Sequence, residues 1–287
     1  MELSVIVVTY NSREFISACL DSLDAALGGL SAEVCVVDNC SPDGTAAHVR
    51  AHHAWARVVE ADANRGFAHG INTGLARTSG RYVLWLNPDS RGRPESAEGL
   101  IEWLRWMDAH PEAGISGGKV LDPGGTLQRS VRSFPSYSAV VGARYSFLTK
   151  LWPDNPFTSK YLRSDLLYDT PEEVDWVSGA CLLHRRAVSD ALDGPDEGFF
   201  MYFEDVDFCF RASKKGWKVY FHPAFVVEHH IGGSSDHMPV RMLKERHRSM
   251  WRWYTKHFQR FWLKDLVIWL GIWTRCAWLV MSRMWRR

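Results

Sequence analysis

The run Leu3-Ser4-Val5-Ile6-Val7-Val8-Thr9 is apolar with almost no alternation. A strand with one face in water alternates apolar and polar residues, whereas a strand covered on both faces does not, and that second pattern belongs to parallel sheets flanked by helices. Tyr10-Asn11-Ser12 ends the run, and Phe15, Ile16, Cys19, Leu20 and Leu23 then recur at helical spacing, with Asn11 or Ser12 placed to cap the helix. Val34-Cys35-Val36-Val37 is a second short apolar strand that runs into Asp38-Asn39. Strand, helix, strand in this span is a βαβ unit, so the chain is expected to be α/β with a mostly parallel sheet. Ligands of such sheets gather beyond the carboxyl ends of the strands. Thr9 to Ser12 and Asp38 to Asn39 are therefore expected to meet in one pocket. Neither a G-x-G-x-x-G nor a G-x-x-x-x-G-K-[ST] sequence is present, which excludes the usual dinucleotide and phosphate-cradle loops.

A third strand, Val58-Val59-Glu60-Ala61, leads to Asn64-Arg65-Gly66-Phe67, and a fourth, Tyr82 to Leu86, ends at Asn87-Pro88-Asp89-Ser90. An acid just after a strand is well placed to hold Mg²⁺ or Mn²⁺, which take carboxylate, water and phosphate oxygens. The peptide from Phe199 to Arg211 sets Glu204, Asp205 and Asp207 among Phe199, Phe200, Tyr202, Phe203, Phe208 and Phe210. Burying a charge is costly unless it is paired, bound to a ligand or shifted in pKa. The plain alternative is a surface helix with its acids in water, and other segments of the chain decide between the two.

Seven motifs occur in order: Val8-Thr9-Tyr10-Asn11, Val37-Asp38-Asn39, Asn64-Arg65-Gly66-Phe67, Asn87-Pro88-Asp89, Trp176-Val177-Ser178-Gly179-Ala180, Phe203-Glu204-Asp205-Val206-Asp207 and His229-His230-Ile231-Gly232-Gly233-Ser234. On these the chain resembles the inverting family 2 glycosyltransferases of the GT-A fold, over about residues 1–240. Within them it is most similar to the rhamnosyltransferase branch of bacterial cell-surface polysaccharide synthesis. The resemblance implies that Thr9, Tyr10 and Asn11 surround a nucleotide base, that Asp38 hydrogen-bonds base or ribose, and that Arg65 and Gly66 lie beneath the nucleotide. Asn87 and Asp89 fall on the family's metal-binding D-x-D, whose first acid is Asn87 here. Asp89 and His229 would hold a divalent metal, Mg²⁺ or Mn²⁺, with His229 or His230 turned toward it. Asp205 matches the general base that takes the proton of the attacking acceptor hydroxyl. Glu204, Trp176 and Gly179 are assigned to acceptor or sugar, with Trp176 either stacked on a sugar or part of the core.

Residues up to about 110 then form the nucleotide-sugar half and about 111–240 the acceptor half. Val174 to Leu183 reads as one buried strand in which Gly179 admits close approach of sugar or backbone. The stretch from about Arg129 to Pro171, rich in aromatics, Ser and Pro, reads as the acceptor-side loop region.

The last 47 residues differ from everything before them. From Arg241 to Arg287, 12 Lys or Arg stand against 2 acids, a balance of +10, which leaves 22 bases and 31 acids, or −9, for residues 1–240. Seven of the 14 Trp fall there, at 251, 253, 262, 269, 273, 278 and 285. Trp262, Leu266, Trp269, Trp273, Ala277, Val280 and Met284 follow helical spacing. This basic, Trp-rich amphipathic tail is expected to lie in an anionic membrane interface. The run Leu266 to Met281, broken by Arg275, looks too short to cross a bilayer of about 20 residues' helical length. The competing reading packs the helix on the catalytic domain or a second subunit, and a homodimer reconciles the two. A polyprenyl-pyrophosphate acceptor suits a membrane-bound enzyme, and Arg241 to Arg260 are basic enough to attract its pyrophosphate.

Six Cys without a C-x-x-C pair indicate neither a zinc knuckle nor a disulfide framework. The apolar stretch Leu3 to Val8 is too short for a signal peptide and lacks a basic lead. The expected location is peripheral, on the cytoplasmic face of the plasma membrane, and no nucleic-acid partner is expected. A nucleotidyltransferase would carry a Gly-rich basic loop after the first strand, and a non-catalytic nucleotide-sugar-binding subunit would lack Asp205 or Asp89. For the donor, the resemblance favours dTDP-rhamnose, with galactofuranose or another UDP-hexose as the competitor.

Overall fold

The computed structural model describes residues 1–136, 159, 161–163, 165–230 and 239–284. Most of the Arg129 to Pro171 stretch, Ile231 to Ser234 of the histidine motif, and Trp285 lie outside them.

Strands β1 (Leu3–Thr9), β2 (Ala32–Asp38), β3 (Arg57–Glu60) and β4 (Tyr82–Leu86) run parallel, with β1 between β2 and β4 and β3 outermost. Every residue of β1 is buried, as its unbroken apolarity requires. Short β5 (Ser90–Gly92), then β6 (Ala113–Leu121), β10 (Cys181–Arg185) and β11 (Lys218–His229) continue the sheet in the order β3-β2-β1-β4-β10-β6-β11-β5. β10 is antiparallel to both β4 and β6, whereas β11 lies parallel to β6. The chain is thus α/β with a mostly parallel central sheet. A two-stranded ribbon of β7 (Val131–Arg132) and β9 (Trp176–Val177) stands apart, and β8 (Glu172–Val174) pairs with β11.

Helices α1 (Ile16–Ala26), α2 (Thr45–His52) and α4 (Gly99–Ala109) accompany the strands, together with α3 (Phe67–Leu75), α5 (Arg186–Leu192) and α6 (Glu204–Lys214). One hydrophobic cluster joins β1 and β4 to α1 and α4, and a second joins β1 and β10 to α3 and α6. The expected side-chain cap of α1 is absent: its N-cap is Phe15, and the Ser12 carbonyl accepts the N–H groups of Phe15 and Ile16 at 3.0 and 2.9 Å. Val174 to Leu183 is not one strand. It is divided among β8, β9 and β10, with the chain turning at residues 178–180. That turn brings Gly179 to the carboxyl edge of β4, where the Asn87 N–H donates to the Ala180 carbonyl at 3.2 Å.

The tail forms two helices, α7 (Pro239–His257) and α8 (Trp262–Met284). Charge alone places a boundary near residue 240, yet α7 belongs to the catalytic body: Trp253 is buried in the second cluster, and His247 and Ser249 are buried as well. Its C-terminal bases are committed within the protein, because Arg252 and Lys256 pair with Asp196 and His257 pairs with Asp207. Arg241, Lys244, Arg246 and Arg248 stay exposed on its first half. α8 packs on α7 through buried Ile272 and Cys276, and Tyr254 donates to Asp265 at 2.6 Å. Trp262, Leu266, Val267, Trp269, Trp278 and Met281 are left exposed. The segment Trp262–Arg283 has 22 residues and a mean hydropathy of 1.2, so by length and composition it is sufficient to cross a membrane, contrary to the shorter run counted from the sequence.

Candidate active site

The parallel register sets Thr9 opposite Asp38, and the Thr9 hydroxyl donates to Asp38 Oδ1 at 2.8 Å. The Ser41 hydroxyl donates to the same oxygen at 2.5 Å, and the Ser41 N–H donates to Oδ2 at 2.9 Å. A carboxylate accepts about four such bonds. With 1% of its surface exposed, Asp38 mainly fastens the two loops. Three accepted bonds leave Asp38 about one acceptor position for the base or ribose contact assigned to it.

The neighbouring amides add further acceptors. Asn11 adopts a left-handed φ of 54°, and its N–H donates to the Ser41 hydroxyl at 3.0 Å. Asn11 Oδ1 and Asn39 Oδ1 are both buried without a hydrogen-bond partner among the described residues. A buried acceptor without a partner is destabilising, and a nucleobase N–H would satisfy one of the two at this end of the sheet. Tyr10, next to Asn11 in the chain, is half-buried. Cys40, at φ 63°, is exposed on the same loop, while the other five cysteines are buried.

Arg65 points outward, its side chain 53% exposed and paired with Asp62 at 2.7 Å. Gly66 is fixed by geometry. At φ 96° and ψ 177° it occupies a region open essentially to Gly alone. A Cβ there would stand 2.1 Å from the Phe200 carbonyl oxygen, which accepts the Phe67 N–H at 2.8 Å. The loop after β3 and the turn before α6 therefore touch backbone to backbone.

The second group gathers where β11 ends. The antiparallel register of β11 with β5 sets His229 opposite Ser90, and this brings His229 Nε2 to 3.4 Å from Asp89 Oδ1 and 3.3 Å from Asn87 Nδ2. On its other side, His229 Nδ1 lies 3.1 Å from Gln128 Oε1, and Gln128 Nε2 donates to the His229 carbonyl at 2.6 Å. An Nδ1–H given to Gln128 leaves the Nε2 lone pair facing Asp89, the arrangement that orients a histidine for a metal. Between the two histidines the geometry selects His229, because His230 lies exposed against Phe15 with ring centroids 5.7 Å apart. No group of three or more His, Cys, Asp or Glu able to hold a metal occurs among the described residues. Asp89 and His229 fit a hard divalent cation that takes its remaining oxygens from a diphosphate and water.

The third group is at the start of α6. Tyr202 and Phe203 both have left-handed φ, 67° and 71°, and Glu204, Asp205 and Asp207 fill the first helical turn, where the helix dipole favours negative charge. Glu204 and Asp207 are buried, so the reading of a solvated acidic face is excluded. Asp205 Oδ2 accepts the Gly179 N–H at 3.0 Å, and Oδ1 accepts the Val206 N–H at 2.8 Å. Burial raises the Asp205 pKa above the ordinary carboxylate range, against the pull of those two N–H groups and of the Arg132 guanidinium. Burial, with Asp205 and Asp207 nearby, pushes Glu204 well above that range, and its Oε2 has no partner among the described residues. Two adjacent carboxyls in one low-dielectric site cannot both ionise readily. Burial acts to raise Asp207 too, but His257, Lys256 and Arg211 outweigh it and hold Asp207 low.

Gly179 serves through its N–H. A Cβ there would meet only ordinary contacts, Phe67 at 3.5 Å and Asp205 at 3.7 Å, so no protein backbone approaches it closely. Trp176 is 6% exposed, donates its indole N–H to the Ser133 carbonyl at 3.0 Å and lies under the Arg132 guanidinium. It is a core residue and not a platform for a sugar. Asn39, Ser41, Gln128 and Arg132 carry parts of the site that reading for motifs did not assign.

The profile described as Glycosyl transferase family 2 matches residues 4–191. The N-acetylglucosaminyl-diphospho-decaprenol L-rhamnosyltransferase of Mycobacterium tuberculosis is 31% identical, over 92% of this chain and 87% of that protein. Rhamnosyltransferase WbbL of Escherichia coli is 25% identical, over 79% of this chain and 82% of its own length. Among solved structures, a mannosyltransferase of Pyrobaculum calidifontis in complex with GDP-Man and Mn²⁺ superposes with a TM-score of 0.58 at 18% identity, covering 94% of this chain and 69% of that one. TarS of S. aureus in complex with UDP-GlcNAc gives 0.56 at 18% identity, over 96% and 72%. These two structural likenesses concern the fold.

Proposed function

The chain belongs to glycosyl transferase family 2, and from that premise we propose that it transfers a sugar, L-rhamnose from dTDP-rhamnose, to a polyprenyl-pyrophosphate-linked acceptor in cell-surface glycan synthesis, with inversion. The observation that carries this reading is Asp205. Its carboxylate is fixed by two backbone N–H groups, half-buried and raised in pKa, yet retains lone pairs for an incoming hydroxyl. As the acceptor oxygen bonds to the anomeric carbon, its proton passes to Asp205. The bond from that carbon to the diphosphate breaks, and the nucleoside diphosphate departs with the electron pair. One displacement exchanges the faces of the anomeric carbon. Asp89 and His229 would hold Mg²⁺ or Mn²⁺, whose charge, when bound, stabilises the departing diphosphate. The rhamnosyltransferases of similar sequence support the donor, and the diphospho-decaprenol in the name of the mycobacterial relative supports the acceptor.

The exposed apolar side chains of α8 support seating on an anionic membrane surface, at the cytoplasmic face of the plasma membrane. Lys264, Asp265 and Arg275 interrupt its apolarity, and the face carrying Ile272 and Cys276 is already taken by α7. Lying on the surface therefore fits better than crossing it.

The test is Asp205→Asn. Turnover is expected to fall by about 10²–10⁴-fold while calorimetric affinity for dTDP-rhamnose is preserved. Near-normal turnover overturns the reading.

A further inference from the structure

We propose that helix α7 is a positioning element of the catalytic base, with Lys256 as its key residue. The inference rests on the reading of Asp205 as that base.

Asp205 stands two residues after Phe203, which like Tyr202 is a non-glycine residue in the left-handed region. Such backbone persists only where the surroundings over-determine it. Here one helix supplies most of the side-chain contacts, beside the backbone contact with the loop after β3. Ser249 of α7 donates its hydroxyl to the Met201 carbonyl at 2.9 Å. Arg241 lies over the Phe200 ring at 5.0 Å and Arg246 over the Tyr202 ring at 4.6 Å. Trp253 meets Phe203 with ring centroids 6.1 Å apart. Consecutive residues of the turn are thus each held from the same side.

Lys256 does more than hold one point. Its Nζ stands 2.6 Å from Asp196 Oδ2 and 2.7 Å from Asp207 Oδ1. One carboxylate precedes the strained turn and the other follows the base, so a single ammonium ties together the two ends of the segment that presents Asp205. Arg252 adds a second grip on Asp196 at 2.8 Å, and His257 a second on Asp207 at 2.7 Å. Asp207 is fully buried and also paired with Arg211 at 2.6 Å. Buried ion pairs of this kind contribute less to stability than well-packed apolar residues would, but they fix one geometry where apolar packing tolerates several. A general base needs its oxygen within hydrogen-bond reach of one proton, and a displacement of about 1 Å lowers the rate by roughly a hundredfold.

The experiment uses the full chain and separates kcat from donor affinity. Lys256→Met keeps the length of the side chain and removes the ammonium; it is expected to lower kcat about 10–100-fold with the calorimetric affinity for dTDP-rhamnose unchanged. Lys256→Arg, which reaches both carboxylates, is expected to recover most of kcat. A purely structural role would give equal losses for Met and Arg, in line with melting temperature, and that result overturns the inference. Should Lys256→Met not fold, Ser249→Ala, which removes one hydrogen bond to the turn, replaces it; an unchanged kcat in that variant is equally decisive against the idea. Asp205→Asn is measured beside them. If Asp205→Asn is inactive while Lys256→Met turns over normally, the positioning role fails and the base assignment stands. If Asp205→Asn turns over normally, the base assignment fails and this inference fails with it.

Discussion

Replacing Gly66 with Ala tests whether the donor loop and the base-bearing turn are one unit. The new Cβ would lie 2.1 Å from the Phe200 carbonyl oxygen and 2.8 Å from its carbonyl carbon and Cα. These are backbone atoms, so no side chain can swing away. Three terms add. The backbone at φ 96° and ψ 177° disfavours Ala by about 1–3 kcal/mol. Forcing Phe200 to move adds about 1–3 kcal/mol, as overpacking does in cores. Losing the 2.8 Å bond from the Phe67 N–H to Phe200 adds about 1 kcal/mol. The sum is about 3–7 kcal/mol, and at roughly 2–4 °C per kcal/mol for a large domain the melting temperature should fall by about 6 °C or more. Gly29→Ala is the control, since Gly29 has φ +84° but nothing within 4 Å of its added Cβ. It bears the backbone term alone, on the order of 1 kcal/mol. Thermal melts followed by circular dichroism compare the two, and calorimetry with dTDP-rhamnose checks that the donor loop has moved. If Gly66→Ala melts within about 2 °C of Gly29→Ala, a gap worth less than 1 kcal/mol, the close contact with Phe200 is not what requires glycine and the reasoning is refuted.

Gln128→Leu should release His229 Nδ1 and weaken Mn²⁺ binding in the presence of a nucleoside diphosphate about 10–100-fold, read by calorimetry; unchanged affinity would detach Gln128 from the metal end. Because burial raises Asp205, transfer should switch on along an acid limb above the ordinary carboxylate pKa of about 4, visible in the pH profile of kcat/KM. Glu204 has a folded pKa above its unfolded value, so between the two the native state binds more protons and stability falls as pH rises through that window. Glu204→Gln should flatten that fall in thermal melts, and an unaltered slope would count against a buried, protonated Glu204. Paired Trp269→Glu and Trp278→Glu should release the protein from anionic vesicles in a sedimentation assay without altering donor affinity, and full retention would place the membrane contact elsewhere.

The sheet was legible because burial on both faces writes itself into β1 as unbroken apolarity, and the acid–aromatic peptide announced α6 because buried carboxylates have no bland purpose. The choice between His229 and His230 was not legible: both belong to one motif, and only the pairing of β11 with β5 decides it. Gln128 reaches His229 across a hundred residues, and no local pattern encodes such a contact. Trp176 stayed open between core and sugar because an indole in the core and an indole under a sugar have the same sequence signature. The tail misled for an electrostatic reason. Its bases look unneutralised when counted locally, yet Arg252 and Lys256 find Asp196 some 60 residues earlier, so the excess of charge concealed a docking surface.

Cys40 gives the pocket rim a chemistry of its own. It is exposed between Asn39 and Ser41, while Cys19, Cys35, Cys181, Cys209 and Cys276 are shielded, and burial raises Cys35 and Cys181 to about 11 and about 12. Thiolate is the reactive form, so alkylating reagents should meet one accessible thiol first, on the loop after β2. A maleimide dye on Cys40 would then report donor occupancy as a local fluorescence change, where the 14 tryptophans would blur any intrinsic signal.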